Sequence, residues 1–215
     1  MKIAFSFIAF FLFIVTSNAQ SRAVTSGEYD RVLRFAVSQT NADYPLIFKV
    51  TTSIIENGKT VRTITEVNEN ESAGYYRIKR SVLVNGRETS KYQITSGFGN
   101  VFCSDDGKTW KASKYECPAQ IAIYANREPE STEYSVTEKS VEGKQVKVYR
   151  EYSVFAPSKG NKTKEFREKI STIDSRGFFI TVVDTEGTLD PRTVTLITEQ
   201  SWITQAKIEP VVAPK

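Results

Sequence analysis

Two Asn-Gly dipeptides, Asn57-Gly58 and Asn85-Gly86, each sit between runs in which apolar residues recur at every second position. A two-residue hairpin that matches the right-handed twist of its strands needs positive φ at both central residues, and Asn-Gly supplies this at little steric cost. Leu46, Phe48, Val50, Thr52 and Ile54 alternate with Ile47, Lys49, Thr51 and Ser53, and Val61, Thr63, Thr65 and Val67 return after the first turn. Tyr76, Ile78, Val82 and Val84 lead into the second turn, and Tyr92 and Ile94 leave it. A period of two between turn dipeptides predicts antiparallel strands joined as hairpins. Asp106-Gly107 predicts a further two-residue turn, with Val101–Cys103 entering and Thr109–Lys111 leaving. Glu142-Gly143 and Ser175-Arg176-Gly177 punctuate the second half, where Val146, Val148, Tyr152 and Val154 share one face. Phe178–Val183 is apolar on both faces and belongs in the sheet interior. Residues 69–74, 156–162 and 185–191 read as loops and 118–131 as a connector; within it Ala119–Ala125 fits a short helix or an edge strand. Val194–Ile208 supplies the last strands.

One stretch has a different period. Thr25-Ser26-Gly27-Glu28 is a capping box, with a hydroxyl at the N-cap and a carboxylate three residues on, each expected to satisfy the other's free N–H. Tyr29, Val32, Leu33, Ala36 and Val37 then form a single stripe, and the helix over Ser26–Gln39 ends ahead of Asp43-Tyr44-Pro45. A lone amphipathic helix buries its stripe on a sheet. Roughly ten twisted strands in one sheet tend to curl. The expected fold is therefore α+β and mostly β: a curved antiparallel meander, each strand pairing with the next, as a half-barrel with the N-terminal helix on its concave face.

Residues 1–19 carry Lys2, an apolar run Ile3–Val15, and Ser17 and Ala19 ahead of Gln20. This is the pattern of a cleaved secretory signal peptide, which places the chain in the periplasm or outside the cell. It leaves one half-barrel domain over residues 20–210 and a loose tail over 211–215. In an oxidising compartment the only two cysteines, Cys103 and Cys117, are expected to form a structural disulfide. Lys plus Arg total 29 and Asp plus Glu 25; losing Lys2 lowers the net charge from +4 to +3, too small and too mixed to imply a nucleic-acid partner.

Short motifs add a family likeness. Gly99-Asn100-Val101-Phe102, Asp106-Gly107-Lys108-Thr109-Trp110 and Ala206-Lys207-Ile208-Glu209-Pro210 follow the helix and meander in order. The strand–turn–strand block Phe166-Arg167-Glu168-Lys169 to Ser175-Arg176-Gly177-Phe178 precedes the C-terminal strands. This arrangement resembles the periplasmic lipoprotein-carrier half-barrels, LolA- and LolB-like, with the related mycobacterial lipid-binding lipoproteins. It departs from them in lacking a lipid-anchoring cysteine and in having the Cys103/Cys117 pair. The resemblance implies a carrier without a cofactor whose partner is a lipid or an acylated protein, soluble after signal cleavage and close to a membrane.

Catalytic groups are scarce. No histidine occurs, which removes His-dependent triads and His-ligated metals, so no catalytic or metal site is assigned. The carboxylate pairs Asp105-Asp106, Glu165 with Glu168 and Asp184 with Glu186 read as a hairpin tip and solvated strand faces. The candidate lining of a ligand cavity is Leu33, Phe48, Tyr76, Ile78, Tyr92, Val148, Tyr152, Phe178 and Ile180, with Trp110, Tyr149 and Phe179 as further aromatic candidates. The same residue types fill closed cores, so an interaction domain with a filled core stands as the alternative.

Overall fold

Both Asn-Gly dipeptides turn the chain with positive φ at each residue, 51° and 73° at Asn57-Gly58 and 49° and 76° at Asn85-Gly86. The first closes β2 (Leu46–Glu56) onto β3 (Lys59–Ser72), and the second closes β4 (Tyr75–Val84) onto β5 (Arg87–Ser96). The structure is a computed structural model that describes residues 21–97, 100–115, 117, 127–141, 143–157 and 162–214. The signal-peptide reading of residues 1–19 and the Ala119–Ala125 segment lie outside the described residues. The remaining elements are β1 (Ser21–Ala23), α1 (Ser26–Ala42), β6 (Val101–Ser104), β7 (Lys111–Ser113), β8 (Ser131–Val141), β9 (Lys144–Phe155), β10 (Glu165–Asp174), β11 (Phe179–Leu189) and β12 (Arg192–Thr204).

All twelve strands form one curved antiparallel sheet, in the order β1-β8-β9-β10-β11-β12-β2-β3-β4-β5-β6-β7. Two sequential meanders, β2 to β7 and β8 to β12, are joined by pairing of the last strand with β2. The expected rule that each strand pairs with the next thus fails between β7, at one end of the order, and β8, next to the other, and also at β1, which pairs with β8 and not with β2. Local periodicity carries no information on this long-range join. Strands also run further than the polar composition of their ends suggested. β3 continues through Glu69 to Ser72, and β11 continues to Leu189 before a two-residue turn. The Asp106-Gly107 hairpin is wider than expected, because Cys103 pairs with Lys111 and residues 105–110 form the connection.

Helix α1 starts as its N-cap predicts: the Glu28 N–H donates to the Thr25 hydroxyl at 3.2 Å, an interaction worth about 1 kcal/mol. The reciprocal half of the box is replaced, since the Glu28 carboxylate accepts instead from Arg22 of β1 at 2.7 Å. The helix lies on the concave face over the second meander. Its Tyr29 and Ala36 join Val136, Tyr149, Ile173, Phe179 and Val182 in the buried core, with Val24, Val32, Leu33, Tyr134 and Trp202 packed around them. Val37, expected within the stripe, is exposed, and the buried Thr40 takes its place one turn on. The chain after β12 is held as well. Ala206 N–H donates to the Pro45 carbonyl at 2.9 Å, and the buried Val211 donates its N–H to Glu71 at 2.8 Å.

Candidate functional site

The concave face is defined by register, because residues paired directly across an antiparallel ladder share a face and alternate residues leave it. Tracing from Tyr149 under the helix, the partners run Ser171, Val182, Gln200, Val50, Glu66 and Arg80. One row toward the helix C-terminus lie Ile173, Phe179, Trp202, Phe48, Asn68 and Ile78. On the other side lie Glu151, Lys169, Asp184, Thr198, Thr52, Ile64 and Val82. A bulge at the start of β11 brings Phe179 and Val182 onto the same face despite their odd spacing. The bulge also frees the Phe179 N–H, which donates to the Thr40 hydroxyl at 2.9 Å and ties the last turn of α1 to the sheet.

Aromatic rings line the floor beneath and beside the helix. Tyr29 sits with its ring centroid 4.8 Å from Tyr134 and edge-on to Tyr149 at 6.4 Å. Phe179, Trp202 and Phe48 continue the line at 5.1 Å and 5.0 Å. The helix-centred core ends at Trp202. Beyond it the concave side chains of β2 and β4 include Phe48, Val50, Ile54, Ile78 and Val82, most of them part-exposed, whereas on β3 Ile64 stands beside Glu66 and Asn68. The far side of this strip, on β5, is closed by Gln93, whose side-chain oxygen accepts the Cys117 N–H at 2.8 Å. The Cys103–Cys117 disulfide holds that contact in place.

Several charges on this face are paired. Arg80 forms a salt bridge with Glu66, which also accepts from Asn68 at 2.9 Å. Arg167 forks onto the buried Asp184 and reaches Glu186 at 3.6 Å. Burial pushes the Glu186 carboxyl above its usual range, against the pull of Arg167. Burial likewise raises the Tyr29 phenol far above its ordinary value, and the Glu151 charge adds to the shift. The Tyr29 hydroxyl and Ser171 Oγ are buried without a hydrogen-bond partner among the described residues. No group of His, Cys, Asp and Glu able to hold a metal occurs among the described residues. Its carboxylates Glu66, Asp184 and Glu186 are thus held by guanidinium groups.

The nine residues expected to line a cavity fall on two faces. Leu33, Phe48, Tyr76 and Ile78 lie on the helix-bearing side. Tyr92, Val148 and Tyr152 lie on the convex side, since their cross-strand partners Lys79, Thr172 and Glu168 are one residue out of step with the concave rows. Tyr152 there stacks on Phe166 at 6.1 Å, with the Arg150 guanidinium 4.7 Å from the Tyr152 ring. Phe178 lies in the turn before β11 under Arg176, Ile180 is the bulge residue and is exposed, and Trp110 sits in the β6–β7 connection. Tyr149 and Phe179 are in the helix core. The composition-based list omits Tyr29, Tyr134 and Trp202; Trp202 was accessible as the apolar end of the alternation Leu196, Thr198, Gln200, Trp202. Two shallow grooves among the described residues lie on the convex side. One is lined by Lys49, Thr51, Thr181, Val183, Glu199, Gln200 and Ser201, the other by Thr63, Thr65, Val67, Lys79, Ser81, Leu83 and Glu88.

No protein family and no curated protein matches this chain. Two solved structures are similar in chain path. LprF from Mycobacterium bovis aligns at 10% identity and a TM-score of 0.42, over 88% of this chain and 98% of its own. A domain provisionally assigned as an outer membrane lipoprotein-sorting protein from Vibrio parahaemolyticus aligns at 13% identity and a TM-score of 0.26, over 84% of this chain and 94% of its own. Neither likeness bears on what this chain binds.

Proposed function

We propose that this chain is an exported, non-enzymatic carrier that holds a lipid or an acyl chain against the concave face, between the sheet and α1. One observation carries the reading: the helix-centred core ends at Trp202, while apolar side chains of β2 and β4 (Phe48, Val50, Ile54, Ile78 and Val82) continue the concave face on either side of the Arg80–Glu66 pair. An acyl chain asks for apolar contact along its length and gains about 0.8 kcal/mol per methylene buried. The polar side chains on this floor are mostly paired with one another and make few directional demands on a ligand. The signal-peptide pattern and the Cys103–Cys117 bridge support an extracytoplasmic setting. Of the residues read from sequence, Leu33, Phe48, Tyr76 and Ile78 belong to this lining.

The test is native mass spectrometry of gently purified protein, followed by displacement of a fluorescent fatty acid. A bound acyl species is expected. Val82→Lys, on the concave face, should weaken binding about tenfold or more by placing a charge on the apolar floor, whereas Leu83→Lys, one residue on and facing out, should leave it unchanged. A protein that never carries an acyl species, even with fatty acid added, overturns the reading and favours a filled-core interaction domain.

A further inference from the structure

The sheet has two rims, and they differ. One rim is formed by the β8–β9, β10–β11 and β3–β4 turns, the α1–β2 connection and the end of β12; the other by the β2–β3, β4–β5 and β11–β12 turns. Large apolar side chains stand out at the first. Tyr44, Tyr75, Val141, Ile203 and Val212 come from five separate segments there and are 39% to 67% exposed. Phe35, on the outer side of α1 and 54% exposed, leans over Gly177 of the β10–β11 turn and adds a sixth. At the opposite rim Leu83 and Val84, on one hairpin, are the large hydrophobics this exposed among the described residues.

The distribution matters more than the area. The side chains are not gathered into one flat patch of the kind that docks a folded partner. They project singly from turns and chain ends, and aromatic rings are among them. Arg31 and Arg34 flank Phe35 on the helix, and neither has an ion-pair partner among the described residues. Lys139 and Lys144 flank Val141 at the β8–β9 tip and likewise have no ion-pair partner among the described residues. Apolar tips that enter the headgroup boundary, with basic residues beside them for anionic lipid, are the components of interfacial membrane attachment.

We propose that this rim docks on an anionic bilayer surface. The docking rests on the surface alone; its use in transferring cargo rests on the carrier reading, because the rim includes the α1–β2 connection and so the C-terminal end of the helix that covers the floor. An acyl chain leaving past that end would enter lipid directly instead of crossing water.

The test is flotation of the exported protein with vesicles of phosphatidylethanolamine and phosphatidylglycerol, against vesicles of phosphatidylcholine alone. Binding to the anionic vesicles, and its loss in high salt, is expected. R31E/R34E and K139E/K144E should each weaken it about tenfold, and F35S/I203S should weaken it without altering fatty-acid displacement. Melting curves check that each variant is folded, and the two charge-reversal pairs lie on different elements, so misfolding of one leaves the other decisive. No flotation, equal flotation with both vesicle types, or flotation unchanged in the folded variants overturns the docking. Fatty-acid displacement that persists in those cases leaves the carrier reading standing.

Discussion

Two glycines illustrate how differently the same residue can be constrained. A Cβ on Gly187 would lie 1.8 Å from the Thr193 carbonyl oxygen and 3.0 Å from the Phe166 ring, and a backbone oxygen in a ladder cannot step aside. Gly187→Ala should therefore cost about 3 kcal/mol in urea denaturation. Gly27, in the first turn of α1, has nothing within 4 Å of the same position, and Gly27→Ala should stabilise by about 0.5 to 1 kcal/mol. Asp106 shows a different residue-scale effect. Its carboxylate accepts the Thr109 and Lys108 N–H groups at 2.7 Å and 2.8 Å and the Ser104 hydroxyl at 2.9 Å. These bonds, the Thr109 N–H foremost, hold its pKa well below the usual carboxylate range. A depressed folded pKa gives stability that is complete above the unfolded value of roughly 4 and is lost as pH falls toward the folded one. Acid titration of the melting temperature should show this loss, and Asp106→Asn should flatten that part of the profile. At this scale the sequence was readable wherever a turn demanded particular chemistry, as at Asn57-Gly58. It was silent on Gly187, whose crowding comes from a bulge and a neighbouring strand.

At the scale of elements, the helix shows what a stripe and a cap can and cannot tell. Thr25 and the spacing of Tyr29, Val32, Leu33 and Ala36 sufficed to place α1 and its buried side. They did not place Thr40, because its burial depends on the β11 bulge that leaves the Phe179 N–H without a ladder partner. Thr40→Val should keep the shape and leave that buried N–H unsatisfied, lowering stability by about 1 to 3 kcal/mol, while Thr40→Ser should retain most of it. Hydrogen exchange at the Phe179 amide would report the difference directly. A strand's faces follow simple parity only until an extra residue enters, as at Val61 and Glu71 of β3, Ile180 of β11 and Thr195 of β12, and even on the regular β5 and β9 parity alone does not say which face turns inward. Tyr92 and Tyr152 carry the same composition signal as Tyr76, and nothing local shows that they point the other way.

At the scale of the molecule, the disulfide and the strand order do separate jobs. Cys103–Cys117 closes a short loop at the end of the sheet occupied by β6 and β7, the two cysteines being 14 positions apart in sequence. Replacing both by Ser should cost about 3 kcal/mol, read from urea midpoints with and without reductant. Because the bridge ties no strand of the second meander, the helix core should keep its near-ultraviolet signature in that variant. The join of β12 to β2 is different in kind. Thr52 and Thr198 meet across it through their hydroxyls at 3.3 Å, although 146 positions separate them. During synthesis β2 is complete long before β12 exists, so β2 must wait with one flank bare until nearly the whole polypeptide has been made. A nonsense mutation ahead of Arg192 should therefore leave β2 with an unpaired, aggregation-prone flank in place of a smaller folded protein.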